Sequence, residues 1–195
     1  MRLFLALDIP ATIRDHISLF IEGVTGFAPH ARWMKPESLH LTLKFIGEQP
    51  DSAVDQIRQS LSPIHAEATE IHFRNYGFFP TAKSPRVFWI GVESGPELAA
   101  LAASIDDTLS SLGIPKEPRS FSPHLTLARA PGASGSPRRT KTDAPNRNFH
   151  HLQEKLAARP TPEFGTMTPR EFFLYRSQLS PKGSKYTKLA AFDLK

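Results

Sequence analysis

The sequence predicts an α+β fold: bilobal, with two pseudo-symmetric lobes of antiparallel sheet, helices on the outer faces and a central cleft. Three observations lead there. Strand-like runs are mixed with helical repeats, a pattern that suits antiparallel sheets carrying helices on their outer faces. The tetrapeptide His-Leu-Thr-Leu occurs twice, at 40–43 and 124–127, each copy two residues after a serine. Each motif also lies amid strands and helices of similar plan, so all 195 residues are read as one two-lobed domain, long enough to bury a core.

Leu3-Phe4-Leu5-Ala6-Leu7 reads as a buried first strand, and Asp8 and Pro10 interrupt its apolar run far below the length of a signal or membrane segment. Pro10 opens a helix in which Ile13, Ile17, Phe20, Ile21 and Val24 recur at helical spacing until Gly23 and Gly26 end the pattern. A short extended piece at 31–35 precedes Pro36. The first motif strand runs over 39–46 and stops at Gly47, with a helix over 51–61. Strands at 71–79 and 86–92 flank a turn segment bounded by Pro80 and Pro85. Gly95-Pro96 starts a helix with a buried stripe of Leu98, Leu101, Ala102, Ile105, Leu109 and Leu112, closed by Gly113. The second motif strand spans about 122–129. Residues 131–148 are rich in Gly, Ser, Pro, Arg and Lys and free of large apolar side chains, which predicts a flexible basic loop. A helix over 149–158, a strand around 171–175 and a closing strand over 188–194 complete the chain.

On a strand, successive side chains face opposite ways, so His40 and Thr42 share one face while Leu41 and Leu43 share the other. His124 and Thr126 repeat this against Leu125 and Leu127. Each motif therefore presents an imidazole and a hydroxyl to a cleft while its leucines anchor a core. Imidazole titrates near neutrality, so one neutral ring and one charged ring can serve as base and acid, each contributing roughly 10² to 10⁴ in rate. The two threonine hydroxyls suit hydrogen bonds to the nonbridging oxygens of a phosphate.

Composition narrows the partner. A formal net charge of +5 favours a negatively charged ligand, phosphate or nucleic acid first. The absence of cysteine excludes disulfides, thiolate zinc sites, cysteine-ligated iron–sulfur clusters and cysteine nucleophiles, and fits a cytoplasmic location. Threonine is not a usual zinc ligand and neither motif carries a second histidine at ligand spacing, so no metal and no cofactor are expected.

The two His-Leu-Thr-Leu motifs, the opening 2–8, the run 33–47, the segment 119–124, and Leu174-Tyr175-Arg176-Ser177 with Tyr186 together resemble the two-histidine phosphoesterases. More narrowly, they resemble the RNA 2′,3′-cyclic phosphodiesterases, also called 2′-5′ RNA ligase-like proteins. The likeness runs nearly end to end. It implies the two motifs side by side in a cleft, hydrolysing a 2′,3′-cyclic phosphate to a 2′-phosphomonoester without a metal. It also implies catalytic roles for His40, Thr42, His124 and Thr126, with the first histidine as proton donor and the second as acceptor. The 131–148 loop is longer and more basic than that family needs.

Around these four, Arg129 lies five residues past His124 and is a candidate phosphate ligand, and Trp33, Phe45, Phe79 and Phe121 are candidate base-stacking rings. Tyr186, with Lys182 and Lys185, enters from the resemblance as a candidate at the cleft entrance. Arg138, Arg139 and Lys141 are candidates to follow an RNA backbone, and His150 and His151 are expected at the surface. The expected partners are RNA ending in a 2′,3′-cyclic phosphate or cyclic nucleotides, with no membrane and a monomeric state. The rival readings are action on 2′-5′ linked oligonucleotides, in either direction, and noncatalytic binding of RNA ends.

Overall fold

The computed structural model describes residues 1–132, 147–180 and 183–195, the side chains of 179, 180 and 183 excepted. Most of the 131–148 loop, with Arg138, Arg139 and Lys141, lies outside the described residues, as does Lys182. Among the described residues, nine strands and four α-helices follow in the order β1 (Arg2–Asp8), α1 (Ala11–Val24), β2 (Arg32–Trp33), β3 (His40–Glu48), α2 (Ala53–Leu61), β4 (Ile71–Phe79), β5 (Val87–Ser94), α3 (Pro96–Ser110), β6 (His124–Arg129), α4 (His150–Ala157), β7 (Glu163–Met167), β8 (Glu171–Ser180) and β9 (Gly183–Asp193).

The strands form two antiparallel sheets, ordered β3-β1-β8-β9 and β2-β6-β5-β4-β7. The pseudo-symmetry is explicit in that order. In each sheet the motif strand pairs with the strand that precedes it across a helix, β3 with β1 and β6 with β5. Beyond that strand lie two more, β8 and β9 in one sheet and β4 and β7 in the other. The fifth strand, β2, adds to the outer edge of β6.

The helices tie the halves together. α1 leaves β1 and packs on β7 of the opposite sheet, whereas α3 leaves β5 and packs on the motif strand β3 of the first sheet and on α2. The main core accordingly holds Leu3, Leu5 and Leu7 from one sheet together with Ile71, Phe73, Phe88 and Ile90 from the other. Its periodicities are those the sequence predicts: Ile13, Ile17, Ile21 and Val24 are the buried face of α1, and Leu98, Leu101, Ala102, Ile105 and Leu109 that of α3.

β1 is buried on both faces because it lies inside its sheet. Its odd-numbered leucines enter the main core, while Phe4 and Ala6 point the other way into a second, small apolar cluster with Phe173 and Tyr175, against which Tyr186 packs. This second face is the one that carries the site. Two boundaries differ from the sequence reading. A further strand, β7, precedes the one expected around 171–175, and the closing strand begins at 183 rather than 188, because β8 and β9 form a long hairpin paired from Glu171↔Asp193 to Ser180↔Gly183.

Candidate active site

The burial pattern of the two motif strands is the same over their first five residues: half-buried, buried, half-buried, buried, buried. Leu41, Leu43, Leu125 and Leu127 fill the main core, so His40, Thr42, His124 and Thr126 face the other way. Two buried residues in a row mark a break in the alternation. In β3 the register against β1 slips between Leu5↔Lys44 and Ala6↔Thr42, and in β6 the register against β5 slips between Phe88↔Ala128 and Trp89↔Thr126. Each slip is a β-bulge, which shifts the facing of everything downstream by one residue. Phe45 and Arg129, each five residues after its histidine, are thereby turned onto the histidine face, where strict alternation would have put them with the leucines.

The bulge in β3 is supported from the core side. Lys44 is only 6% exposed; its ammonium pairs with Asp106 on α3 and donates to the Pro115 carbonyl at 2.7 Å. A buried amine of this kind is tolerated only when fully partnered. On the open side Phe45 is 51% exposed, with its ring 6.3 Å from Phe4.

Each imidazole is clamped in the same way. His40 Nδ1 lies 2.9 Å from the Ser38 carbonyl oxygen and His124 Nδ1 lies 2.8 Å from that of Ser122. A carbonyl only accepts, so both Nδ1 atoms carry the hydrogen and donate it. That fixes the tautomer and leaves Nε2 of each ring for chemistry. The serine two residues upstream of each motif thus acts through its backbone.

Aromatic rings wall the histidines. His40 stands 4.6 Å from the Phe4 ring and 5.0 Å, edge-on, from Tyr186; Phe4 in turn stacks on Tyr175 at 5.1 Å. His124 meets Phe79 edge-on at 4.9 Å and Trp89 at 6.3 Å. Burial against these rings lowers both imidazole pKa values, that of His40 from 6.5 to about 4 and that of His124 in the same direction. The surrounding charges divide the two. Asp8 pulls His40 back towards its protonated form, as does the bond to Ser38, whereas Arg129 and Arg119 push His124 further towards neutrality.

The sheets meet through β3 and β6, and Arg129 of one lies within electrostatic reach of Tyr186 and Arg2 of the other. His40, Thr42, Phe45 and Tyr186 thus gather on the first sheet and His124, Thr126 and Arg129 on the second. Phe121 does not join them: it packs on the main core and lines a shallow groove with Val92, Pro96, Ala99 and Pro123. Trp33 is a core residue whose indole donates to the Ala28 carbonyl, and Lys185 is exposed. His150 and His151 are exposed and pair with Glu154 on α4. Asp8, Tyr175 and Lys188 were not singled out from the sequence. Asp8 pairs directly with His40 across β1 and β3, accepts the Tyr175 hydroxyl on one oxygen and binds the Lys188 ammonium with the other.

Comparison with known proteins bears on this arrangement directly. The model of the 2′-5′ RNA ligase superfamily matches residues 13–142, two-thirds of the chain and both histidine motifs. The chain belongs to the 2′-5′ RNA ligase superfamily. It is 32% identical, over 99% of its own length and all of the relative's, to a protein of Archaeoglobus fulgidus named RNA 2′,3′-cyclic phosphodiesterase. A protein of the same name from Aeropyrum pernix is 38% identical over 80% of this chain and 82% of its own. Among solved structures, E. coli LigT complexed with 3′-AMP superposes with a TM-score of 0.75 and 26% identity, covering 100% of this chain and 98% of that one. The superfamily fold is therefore the one described above: two antiparallel sheets and four helices. Among the described residues, no helix is long and apolar enough to cross a membrane.

Proposed function

We propose that this protein is an RNA 2′,3′-cyclic phosphodiesterase, hydrolysing the cyclic phosphate of RNA ends or nucleotides to a 2′-phosphomonoester. The observation that carries the reading is the pair of identically clamped imidazoles, one from each lobe, each with a threonine on the same face. Several relatives that span nearly the whole chain bear that name, which supports the substrate class.

The steps follow from the residues. The cyclic phosphodiester lies between the motif strands, its nonbridging oxygens accepting hydrogen bonds from Thr42 and Thr126 as charge builds on them. Nε2 of neutral His124 takes a proton from the attacking water, and the new bond forms between that oxygen and phosphorus. The bond from phosphorus to the 3′ oxygen breaks, and Nε2 of protonated His40 gives its proton to the departing oxygen. Exchange with solvent resets both rings. The charge environment supports these roles, since arginines beside His124 favour a neutral base and the carboxylate beside His40 favours a charged acid. The bound diester is itself an anion and raises the proton affinity of His40 further.

Arg129 pairs with the phosphate from the second sheet, and Phe45, exposed on the first, stacks on the base. Tyr186 flanks His40 at the edge of the site. No step requires a metal. The test is incubation with an oligonucleotide ending in a 2′,3′-cyclic phosphate in excess chelator, followed by phosphorus NMR. Quantitative conversion to the 2′-monoester supports the proposal; an unchanged cyclic resonance overturns it.

A further inference from the structure

We propose that Asp8, held by Tyr175 and Lys188, is a positioning residue that serves as the fixed counter-charge enabling His40 to carry its proton. The proposal rests on the reading of His40 as the acid. Its basis is geometric. Asp8 is the direct cross-strand partner of His40 in the antiparallel ladder of β1 and β3, so the two side chains stand on one face, with the close Cβ spacing of such a pair. The carboxylate does not hydrogen-bond to the ring, because Nδ1 is already committed to the Ser38 carbonyl. It therefore acts through space.

Asp8 is also immobilised. Its two oxygens are taken by the Tyr175 hydroxyl from β8 and the Lys188 ammonium from β9. Tyr175 stacks on Phe4, and Phe4 on His40, so the residue that orients the carboxylate packs through one ring against the imidazole it serves. Lys188 is pinned a second time, 3.7 Å above the Phe173 ring. The Tyr175 phenol, whose deprotonation is strongly disfavoured by burial and by Asp8, remains a donor to the carboxylate.

Burial against Phe4 and its neighbours opposes the charged imidazole of His40; the backbone bond to Ser38 acts in the opposite direction, and Asp8 is the side chain that joins it. The other titratable groups around His40 are Tyr175 from β8 and Tyr186 from β9, with Lys188 of β9 on Asp8, and Arg129 of β6 lies within electrostatic reach of Tyr186. Lys35 and Glu37, just upstream, are solvent-exposed. His124 has no carboxylate opposite it: its cross-strand partner is Gly91. Of the two motif histidines, the one with an acidic cross-strand partner is therefore the one that must be charged.

The experiment is a comparison of wild type with Asp8→Asn, Asp8→Glu and Tyr175→Phe. The first readout is the His40 imidazole titration by NMR with adenosine 2′-monophosphate bound, which needs no turnover. Asp8→Asn is expected to lower the His40 value by about one pH unit, with Tyr175→Phe shifting it less in the same direction and Asp8→Glu restoring part of it. The second readout is the pH profile with adenosine 2′,3′-cyclic phosphate, where the basic limb moves down by the same amount and kcat at pH 7.5 falls about tenfold with KM within twofold. Should Asp8→Asn fail to fold, the milder Tyr175→Phe carries the same prediction. An unshifted His40 titration in a folded variant overturns the proposal and leaves the proposed function standing. Full activity in His40→Asn would instead remove the acid role itself, whatever the titration shows.

Discussion

Phe45 and Arg129 occupy the same place in the two copies of the motif, five residues beyond the histidine and past a bulge that turns each onto the histidine face. The same backbone device thus delivers an exposed ring from one sheet and a guanidinium from the other. With a cyclic nucleotide, Phe45→Ala should raise KM about tenfold with little effect on kcat, a loss of roughly 1 to 3 kcal/mol of stacking. With ribose 2′,3′-cyclic phosphate, which lacks a base, the same variant should match wild type. Arg129→Gln should lower kcat/KM by about 10² on both substrates, since a charge-assisted bond to phosphate does not depend on the base. Steady-state kinetics on the two compounds measures both.

The Lys44–Asp106 pair holds the first bulge from the core side, and removing one partner leaves a buried charge alone. Asp106→Ala should cost about 3 to 5 kcal/mol in denaturant unfolding, and the double variant with Lys44→Met should recover much of it. The pH dependence has a definite sign. Burial raises the Asp106 carboxyl, but the bonds from Lys44 and the Glu117 amide outweigh it and the net shift is downward. A depressed carboxyl stabilises the fold at pH above its unfolded value of about 3.9 and loses that contribution as pH falls through the folded value. Acid unfolding of wild type should therefore steepen below about pH 4, and less so in the double variant.

Because the serines before each motif act through their carbonyls, Ser38→Ala and Ser122→Ala should leave kcat within twofold. Loss of activity in either would show that a hydroxyl, not the backbone, matters there.

Both imidazoles are pushed below 6.5, so the unliganded protein holds both rings neutral at pH 7. The productive form needs His40 charged and His124 neutral. The kcat/KM profile, which reports the free enzyme, should be bell-shaped with its maximum below pH 6.5. The kcat profile should extend to higher pH, because the bound anion raises His40. Stopped assays from pH 4 to 9 distinguish the two profiles.

Much of the fold was legible because the strongest cues were local. The isoleucine stripe of α1, the leucine stripe of α3, and the alternation in His40–Leu43 and His124–Leu127 each fix an element and its buried face without tertiary knowledge. The histidine and threonine pairs were legible for the same reason, and the repeated motif pointed to two related halves. Register was not legible. A bulge adds one residue, and nothing in Leu43-Lys44 or Leu127-Ala128 announces it, so the facing of Phe45 and Arg129 had to await the ladder. Phe121 misled because an aromatic two residues before a motif proline looks the same in sequence whether it meets a cleft or a core groove. Asp8 was hidden by distance: Tyr175 and Lys188, which make it significant, lie far along the chain and reach it only through the order β3-β1-β8-β9.

The central claim is that one imidazole from each lobe acts on a single phosphorus. Single-turnover hydrolysis of adenosine 2′,3′-cyclic phosphate by wild type, His40→Asn and His124→Asn, measured across pH, tests it most directly. The account predicts that each substitution slows the step by about 10² or more, with the basic limb lost in His40→Asn and the acidic limb lost in His124→Asn. Wild-type turnover in either variant would contradict it.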